Sequence, residues 1–253
     1  MNNIEKARFE YCLRLGDSSL ILGHRLSEWC GHGPVLEEDI ALINIALDLI
    51  GRATNILKYA GEVEGQGRTE DQLAYLRNER DFQNLLLTEL PNGDFAVTIA
   101  RQFFYDAYSY FLYTELLQSK DAQLAAIAEK AIKEIKYHLR HSSEWMIKLG
   151  DGTAESHDRL QTAVNNLWRY TGEMFMADEM DKLLQHEGIA PDLAAIQTNW
   201  HTMVSEVLER ATLQKPAETY MQSGSKKGIH TEHLGFLLAE MQYLPRMHRG
   251  AKW

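Results

Sequence analysis

Four acidic side chains interrupt long apolar stretches of the sequence, and each stretch has the apolar spacing of a helix. The four are Asp17, Asp48, Asp106 and Glu134. An ionised carboxylate buried without a partner costs far more free energy than a fold can spare, so each needs hydrogen bonds, a cation or a proton. One inward carboxylate from each of four helices is the skeleton of a di-iron carboxylate site. The first chemistry to test is therefore that of a two-metal centre.

A complete site of this kind also needs two histidines. Two of its helices each carry Glu-x-x-His, because residues three apart lie on the same side of a helix. Glycine stands at the expected histidine position after Asp48, and tyrosine stands there after Glu134; His138 is one residue late, rotated by about 100°. The sequence thus predicts no metal ligand and no catalytic residue in this chain. The positions of the lost site would be Asp17, Asp48, Gly51, Asp106, Glu134 and Tyr137.

A buried network of hydrogen bonds and ion pairs is the alternative role for these acids. Asn44 and Asp48 interrupt the most apolar stretch, residues 40–50, and lie four apart on one face. A helix that is apolar all round is expected to be buried on all sides. Two further interpretations stay open: a rearranged metal site that uses His138 or His141, and acids that face solvent. The predicted network contains Asn44, Asp48, Asp106, Glu134 and His138, with Arg52 and Arg101 as neighbouring cations.

Helical periodicity and turn residues predict an all-α chain in which four long helices position these groups. Asp94, Asp121 and Thr153 are placed to cap helices, and Pro191 stands at a helix start. The predicted architecture is one domain, residues 1–253, with a four-helix bundle and additional C-terminal helices. Residues 213–253 are predicted to form a basic C-terminal loop and an amphipathic helix that packs on this domain. The predicted helices cover about 4–29, 36–63, 71–84, 95–118, 121–149, 153–186, 192–212 and 230–244.

Composition argues against several classes of protein. The net charge of −10 disfavours a nucleic-acid binder, since phosphate backbones require a basic face. No run approaches 18 consecutive apolar residues, so no membrane span is predicted. Residues 1–8 are polar and lack the apolar core of a signal peptide. We therefore expect a cytoplasmic protein.

The C-terminal part carries the opposite charge to the rest of the chain. Residues 214–253 have a net charge of +3 against −13 for the remainder. Within them, Lys226 and Lys227 lie in a Ser- and Gly-rich loop just before the last predicted helix. Backbone amides, lysines and a helix start could hold a phosphate of coenzyme A or contact a partner. A plain solvated loop is the other interpretation.

Several long motifs resemble one family, the C subunits of phenylacetyl-CoA epoxidase (ring 1,2-epoxidase, or phenylacetyl-CoA monooxygenase), within the ferritin-like superfamily. The resemblance covers essentially the whole chain. The motifs that carry it are Leu15-Gly16-Asp17, Trp29-Cys30-Gly31-His32-Gly33-Pro34, Asn44-Ile45-Ala46-Leu47-Asp48-Leu49, Pro91-Asn92-Gly93-Asp94-Phe95-Ala96, Gly150-Asp151-Gly152-Thr153 and His230-Thr231-Glu232-His233-Leu234-Gly235.

This resemblance implies a ferritin-like helical fold and a function. C subunits pair with a homologous A subunit that holds the di-iron centre. With O2 and electrons from a separate reductase, the complex epoxidises the aromatic ring of phenylacetyl-CoA. The resemblance therefore implies a non-catalytic structural subunit with no cofactor of its own. Its expected partners are the A subunit, the B subunit and, indirectly, the reductase, with a homodimer when the chain is alone. The alternatives are a ferritin-like metalloenzyme with a non-standard ligand set and a helical adaptor unrelated to oxygenases.

Overall fold

The computed structural model describes residues 1–217 and 219–251, and in that part of the chain all regular structure is helical. The predicted all-α class is confirmed. The chain divides into two compact units, Met1–Pro91 with Gly224–Trp253, and Asn92–Ser223. The prediction of one domain stays a prediction, and the segment from Gly224 onward belongs to the first unit. Glu218 and Lys252, two charges of the basic C-terminal part, lie outside the described residues.

In the part of the chain that the structure describes, the two units contain ten α-helices, numbered in chain order. The first unit contains α1 to α4 and α10, and the second contains α5 to α9. Short 3-10 turns at Glu79–Asp81, Gly172–Phe175 and Ser225–Lys227 join some of them. The α-helices are α1 Asn3–Ser27, α2 Leu36–Glu64, α3 Glu70–Tyr75, α4 Leu86–Glu89, α5 Phe95–Leu116, α6 Ala122–Gly150, α7 Ala154–Trp168, α8 Glu179–His186, α9 Leu193–Arg210 and α10 Glu232–Met247.

The main contact of the first unit is an antiparallel pair formed by α1 and α2. A Cβ at Gly16 would meet Leu57, and a Cβ at Gly23 would lie 3.2 Å from the Ala46 carbonyl oxygen. The two glycines therefore let the helix backbones approach closely along their length. Gly16 meets Leu57, and the later residue Gly23 meets the earlier residue Ala46, so the two helices are antiparallel.

The second unit is organised around α5, which packs against α6, α7 and α9. Its core contains an aromatic cluster in which Trp200 contacts Phe104, Trp168 and Phe175 at ring-centroid distances of 5.4–5.8 Å. The Trp200 indole N–H donates to the Phe104 carbonyl oxygen at 3.0 Å, so its polar end is satisfied inside the core. The three predicted caps form as expected: Asp94, Asp121 and Thr153 each accept from backbone N–H groups of the following helix.

The prediction of one helix over residues 153–186 is wrong. The chain leaves the helical path after Trp168, passes through a 3-10 turn, and starts α8 anew. Asp178 caps that start by accepting from the backbone N–H groups of Met180 and Asp181. Gly172, where a Cβ would collide with Met221, marks the break. The cap and the glycine were the sequence signals for two helices.

The expectation that α2 is buried on all sides is also wrong. Ile40 is 51% exposed and Leu47 is 60% exposed, and Asn44 between them is exposed as well. By length and composition α2 is the one described helix that could cross a membrane, and 50% of its most apolar 18-residue window is buried. A core helix also meets these criteria of length and composition. The criteria therefore do not explain why Ile40 and Leu47 are exposed.

Candidate functional site

Asp17 lies on α1 in the interior of the first unit and is fully buried. Both of its carboxylate oxygens bond to the guanidinium of Arg77, one of them at 3.0 Å. The Gln83 backbone N–H also donates to it, at 2.9 Å. A bidentate guanidinium and a backbone donor supply the partners that a buried carboxylate needs. Asp17 is thus one half of a buried ion pair.

Asp106 lies on α5 in the second unit and is also buried. One carboxylate oxygen accepts from the Gln102 side-chain N–H at 2.8 Å, and the other accepts from the Ser142 hydroxyl on α6 at 2.8 Å. Both donors are buried. The Gln102 bond lies within α5, whereas the Ser142 bond joins α5 to α6, the two longest helices of the unit, through buried side chains.

The other members of the predicted buried network lie in different surroundings. Asp48 and Glu134 are partly exposed, and Asn44 is exposed. Only Asp106 and His138 of the five predicted members are buried. Asn44 is thus not a buried member, because its side of α2 is exposed. Asp48 and Glu134 are only partly buried, and the network itself stays a prediction.

The two positions where histidines were expected also lie on outward faces. No atom lies within 4 Å of a Cβ built on Gly51, and Tyr137 is 41% exposed. On each helix, the pair of residues three apart that faces inward begins one residue after the acid, at Leu49 on α2 and at Ile135 on α6. The two pairs are Leu49 with Arg52 on α2 and Ile135 with His138 on α6, and all four are buried. One residue rotates the face by about 100°, so a one-step error exchanges an inward position for an outward one.

The inward pairs do not fit the ligand set of a di-iron carboxylate centre. Leucine and isoleucine side chains have no atom that could ligate a metal, and the Arg52 guanidinium offers no lone pair. Only His138 keeps a side chain that could ligate a metal. Within residues 1–217 and 219–251, no three His, Cys, Asp or Glu side chains form a group that could hold a metal ion.

Sequence reasoning missed a second buried polar cluster in the first unit, between Glu89 on α4 and His230. Both side chains are fully buried, and the His230 Nδ1 lies 2.8 Å from a Glu89 carboxylate oxygen. The His230 Nε2 lies 2.9 Å from the Phe82 carbonyl oxygen. The Phe82 carbonyl oxygen can only accept, so Nε2 donates to it, and an imidazolium would in addition donate from Nδ1 to the Glu89 carboxylate.

The charge of His230 is set by two opposing effects. Burial lowers the pKa of the ring, but the Glu89 carboxylate, the Phe82 carbonyl and the nearby Glu79 together raise the pKa above its ordinary value. Glu89 also accepts from the Asn84 side chain at 2.8 Å and from the Thr231 backbone N–H at 2.6 Å. The available signal was an acid within the apolar run Leu85-Leu86-Leu87-Thr88-Glu89-Leu90.

The loop with Lys226 and Lys227 is tied to its neighbours. Gly224 and Gly228 both have positive φ, and a Cβ at Gly228 would collide with the Arg80 carbonyl group. The 3-10 turn between them has three residues, too few for a helix N-terminus that collects dipoles on an anion. Lys226 is partly exposed and Lys227 is exposed. The role of these lysines as a coenzyme A or partner contact stays a prediction.

Comparison with known proteins gives an independent assignment. All of residues 1–253 match the family described as phenylacetic acid catabolic protein. The chain is 55% identical over 243 residues to the C subunit of 1,2-phenylacetyl-CoA epoxidase from Escherichia coli (strain K12), an alignment that covers 96% of this chain and 98% of that relative. The chain therefore belongs to the family of phenylacetic acid catabolic proteins, with a role in phenylacetate catabolism.

Proposed function

We propose that this chain is a non-catalytic structural subunit of a phenylacetyl-CoA 1,2-epoxidase and supports a homologous A subunit that holds the di-iron centre. The E. coli relative is named as the C subunit of that epoxidase, which supports the assignment to the complex. The similarity covers 96% of this chain and 98% of that relative. The B subunit and the reductase are the other proposed components, and the proposed location is the cytoplasm.

The observation that carries the structural role is the chemistry of the inward positions on α2 and α6. Leu49 with Arg52, and Ile135 with His138, occupy the places where Glu-x-x-His pairs would have to stand. The buried Arg52 guanidinium at one of these places has no lone pair with which to ligate a metal. The donor set thus favours a chain that packs and positions a partner over one that activates oxygen.

Co-purification with iron quantification tests this proposal. The tagged chain would be expressed alone, with its A subunit, and with an A subunit whose two Glu-x-x-His histidines are replaced by alanine. We expect no iron on the chain alone and stoichiometric iron in the intact complex. The complex with the altered A subunit should form without iron and without epoxidation of phenylacetyl-CoA.

Two results would overturn the proposal in different ways. In the first, the chain binds stoichiometric iron when the A subunit is altered or absent. That result would make this chain a metalloprotein and would contradict the structural role. If circular dichroism shows that both chains are folded and the A subunit still does not co-purify, the proposed partnership is wrong. A helical adaptor unrelated to oxygenases would then be favoured.

A further inference from the structure

One side of α6 carries a row of basic side chains. Lys130, Lys133, Lys136 and Arg140 are all exposed, and Tyr137 among them is 41% exposed. At 100° per residue these five residues fall within a sector of about 120°, on the side of α6 opposite its buried stripe. They cover about 15 Å of the helix at 1.5 Å per residue. We call these five residues the α6 basic face.

The cations of the α6 basic face are not neutralised by acids of the same chain. In the part of the chain that the structure describes, none of the four forms an ion pair. Elsewhere in the same unit, Arg159 pairs with Glu155 at 2.7 Å and Lys182 pairs with Glu179 at 2.8 Å. Like charges three or four residues apart on a helix repel each other. The row therefore carries a local repulsion that an acidic partner would relieve.

The basic surface is short, and the chain around it is acidic. The net charge of the whole chain is −10, yet residues 130–140 contain four Lys or Arg and one acid, Glu134, which is only partly exposed. Exposed acids flank the row at Glu129 and Glu144. A long polyanion such as a nucleic acid needs an extended basic face and would run onto these acids. A short acidic segment of a protein matches the size of the row better.

Tyr137 gives the α6 basic face an aromatic group near its centre. The Arg140 guanidinium carbon lies 5.7 Å from the centroid of the Tyr137 ring, and the His141 ring stacks on Tyr137 with centroids 6.4 Å apart. These contacts hold a large side chain in place at the surface. Tyrosine and arginine are among the residue types that most often carry binding energy at protein interfaces. The aromatic group thus favours a protein-binding surface over a face that is only solvated.

We propose that the α6 basic face binds an acidic helix of a protein partner. The cations repeat in steps of three and four, so carboxylates with the same spacing on a facing helix can meet them, and an apolar residue of that helix covers the Tyr137 ring. The face covers less surface than the roughly 800 Å² per partner of a standard stable interface. The contact is therefore transient and weakened by salt. It goes beyond the proposed structural role and does not depend on it.

Binding of defined acidic peptides tests this proposal. The row peptide is a fluorescently labelled helix, stapled on one side, that carries glutamates and one leucine in a row on the other side. The spread peptide has the same composition and staple, with the glutamates distributed around the helix. In fluorescence anisotropy with the full chain, the row peptide should bind at least about tenfold more tightly than the spread peptide at about 20 mM salt. Its affinity should fall at least about tenfold by about 300 mM salt.

Variants of the chain locate the binding site. Lys133→Glu with Arg140→Glu should weaken binding of the row peptide at least about tenfold and flatten its salt dependence. Lys6→Glu with Lys58→Glu makes the same change in net charge at exposed positions of α1 and α2, and should alter the affinity less than about twofold. Tyr137→Ala removes an uncharged group, so it should weaken binding about fivefold and keep the salt dependence. Circular dichroism of each variant excludes misfolding as the cause.

Each other outcome overturns the proposal. If the row peptide does not bind at low salt, or binds no more tightly than the spread peptide, the face does not recognise an acidic helix. If the control pair Lys6→Glu with Lys58→Glu loses as much affinity as the α6 variant, net charge and not the α6 basic face causes the binding. If a single-stranded oligonucleotide of equal charge binds more tightly than the row peptide, the partner is a nucleic acid and the proposed class of partner is wrong.

Discussion

At the scale of single residues, the four acids that interrupt apolar stretches of the sequence lie in different surroundings. Asp17 lies inside the first unit against the Arg77 guanidinium, and Asp106 lies inside the second against Gln102 and Ser142. Asp48 and Glu134 are partly exposed. Removing one partner of a buried ion pair leaves the other charge buried and is costly, whereas a partly exposed acid is screened by water.

The contrast gives a prediction for Asp17. Asp17→Asn leaves the Arg77 charge buried without its counter-charge, and we expect a loss of about 3–5 kcal/mol in the free energy of unfolding. Asp48→Asn is the matched control and should cost less than about 1 kcal/mol, because its site is partly exposed. Urea unfolding followed by circular dichroism measures both. Equal losses for the two variants would contradict the assignment of Asp17 as the buried partner.

At the scale of elements, the orientation of each helix decides which residues can act together. The buried stripe of α6 runs through Ala131, Ile135, His138 and Ser142, one step away from the stripe that contains Glu134 and Tyr137. In the first unit, α10 is held at its start by His230 and Thr231 on Glu89. Near its end, Arg246 donates to the carbonyl oxygens of Tyr75 and Arg77, at the end of α3 and just beyond it.

The His230–Glu89 pair predicts how stability depends on pH. The pKa of His230 in the folded chain is raised above the ordinary value of 6.5, with Glu89 and Glu79 as the facing acids. Its contribution is therefore fully present below about pH 6.5 and is lost as the pH rises through the folded pKa. The cation that approaches the same cluster is Arg25, whose Nε donates to the Glu89 backbone carbonyl.

The measurement is the urea midpoint between about pH 6 and pH 9. It should fall with rising pH in the native chain and should flatten in His230→Gln, which cannot become charged. His186→Gln is the control, since His186 is 86% exposed on α8, and it should behave like the native chain. A midpoint of His230→Gln that falls as steeply as that of the native chain would rule out His230 as the titrating group.

At the scale of the whole molecule, the first unit is built from both ends of the chain. The segment from Gly224 returns to the unit formed by residues 1–91. There it buries Leu234, Leu237 and Leu238, and the Gln242 side chain donates to the carbonyl oxygens of Ala74 and Arg77. Three leucines buried in this way contribute about 1.5–3 kcal/mol each.

Removal of residues 224–253 should therefore destabilise the first unit selectively. We expect amide hydrogen exchange to become much faster in α3 and α4, which lose Glu89's partners and the leucine contacts, while α6 and α9 keep their protection. Exchange measured by mass spectrometry on the native and shortened chains gives the comparison. A uniform increase across both units would show instead that the segment stabilises the whole chain.

The sequence by itself determined the class of structure and most helix limits. The caps at Asp94, Asp121 and Thr153 satisfy backbone N–H groups of their own helices, and such local chemistry can be predicted from neighbouring residues. The motifs around Asp17 and Asp48 were long enough to indicate the family. The apolar content of α2 was also evident, although it did not tell which side of the helix is covered.

Only the tertiary structure decided which polar groups face inward and which of them meet. Neighbouring residues on a helix point about 100° apart, so one step along the chain separates an inward position from an outward one. Arg52 and His138 face inward, whereas the preceding residues, Gly51 and Tyr137, face outward. The Glu89–His230 pair joins residues 141 apart in the chain, and no local pattern encodes such a contact. Both depend on how helices pack, because burial is a property of the neighbours a side chain acquires and not of the side chain itself.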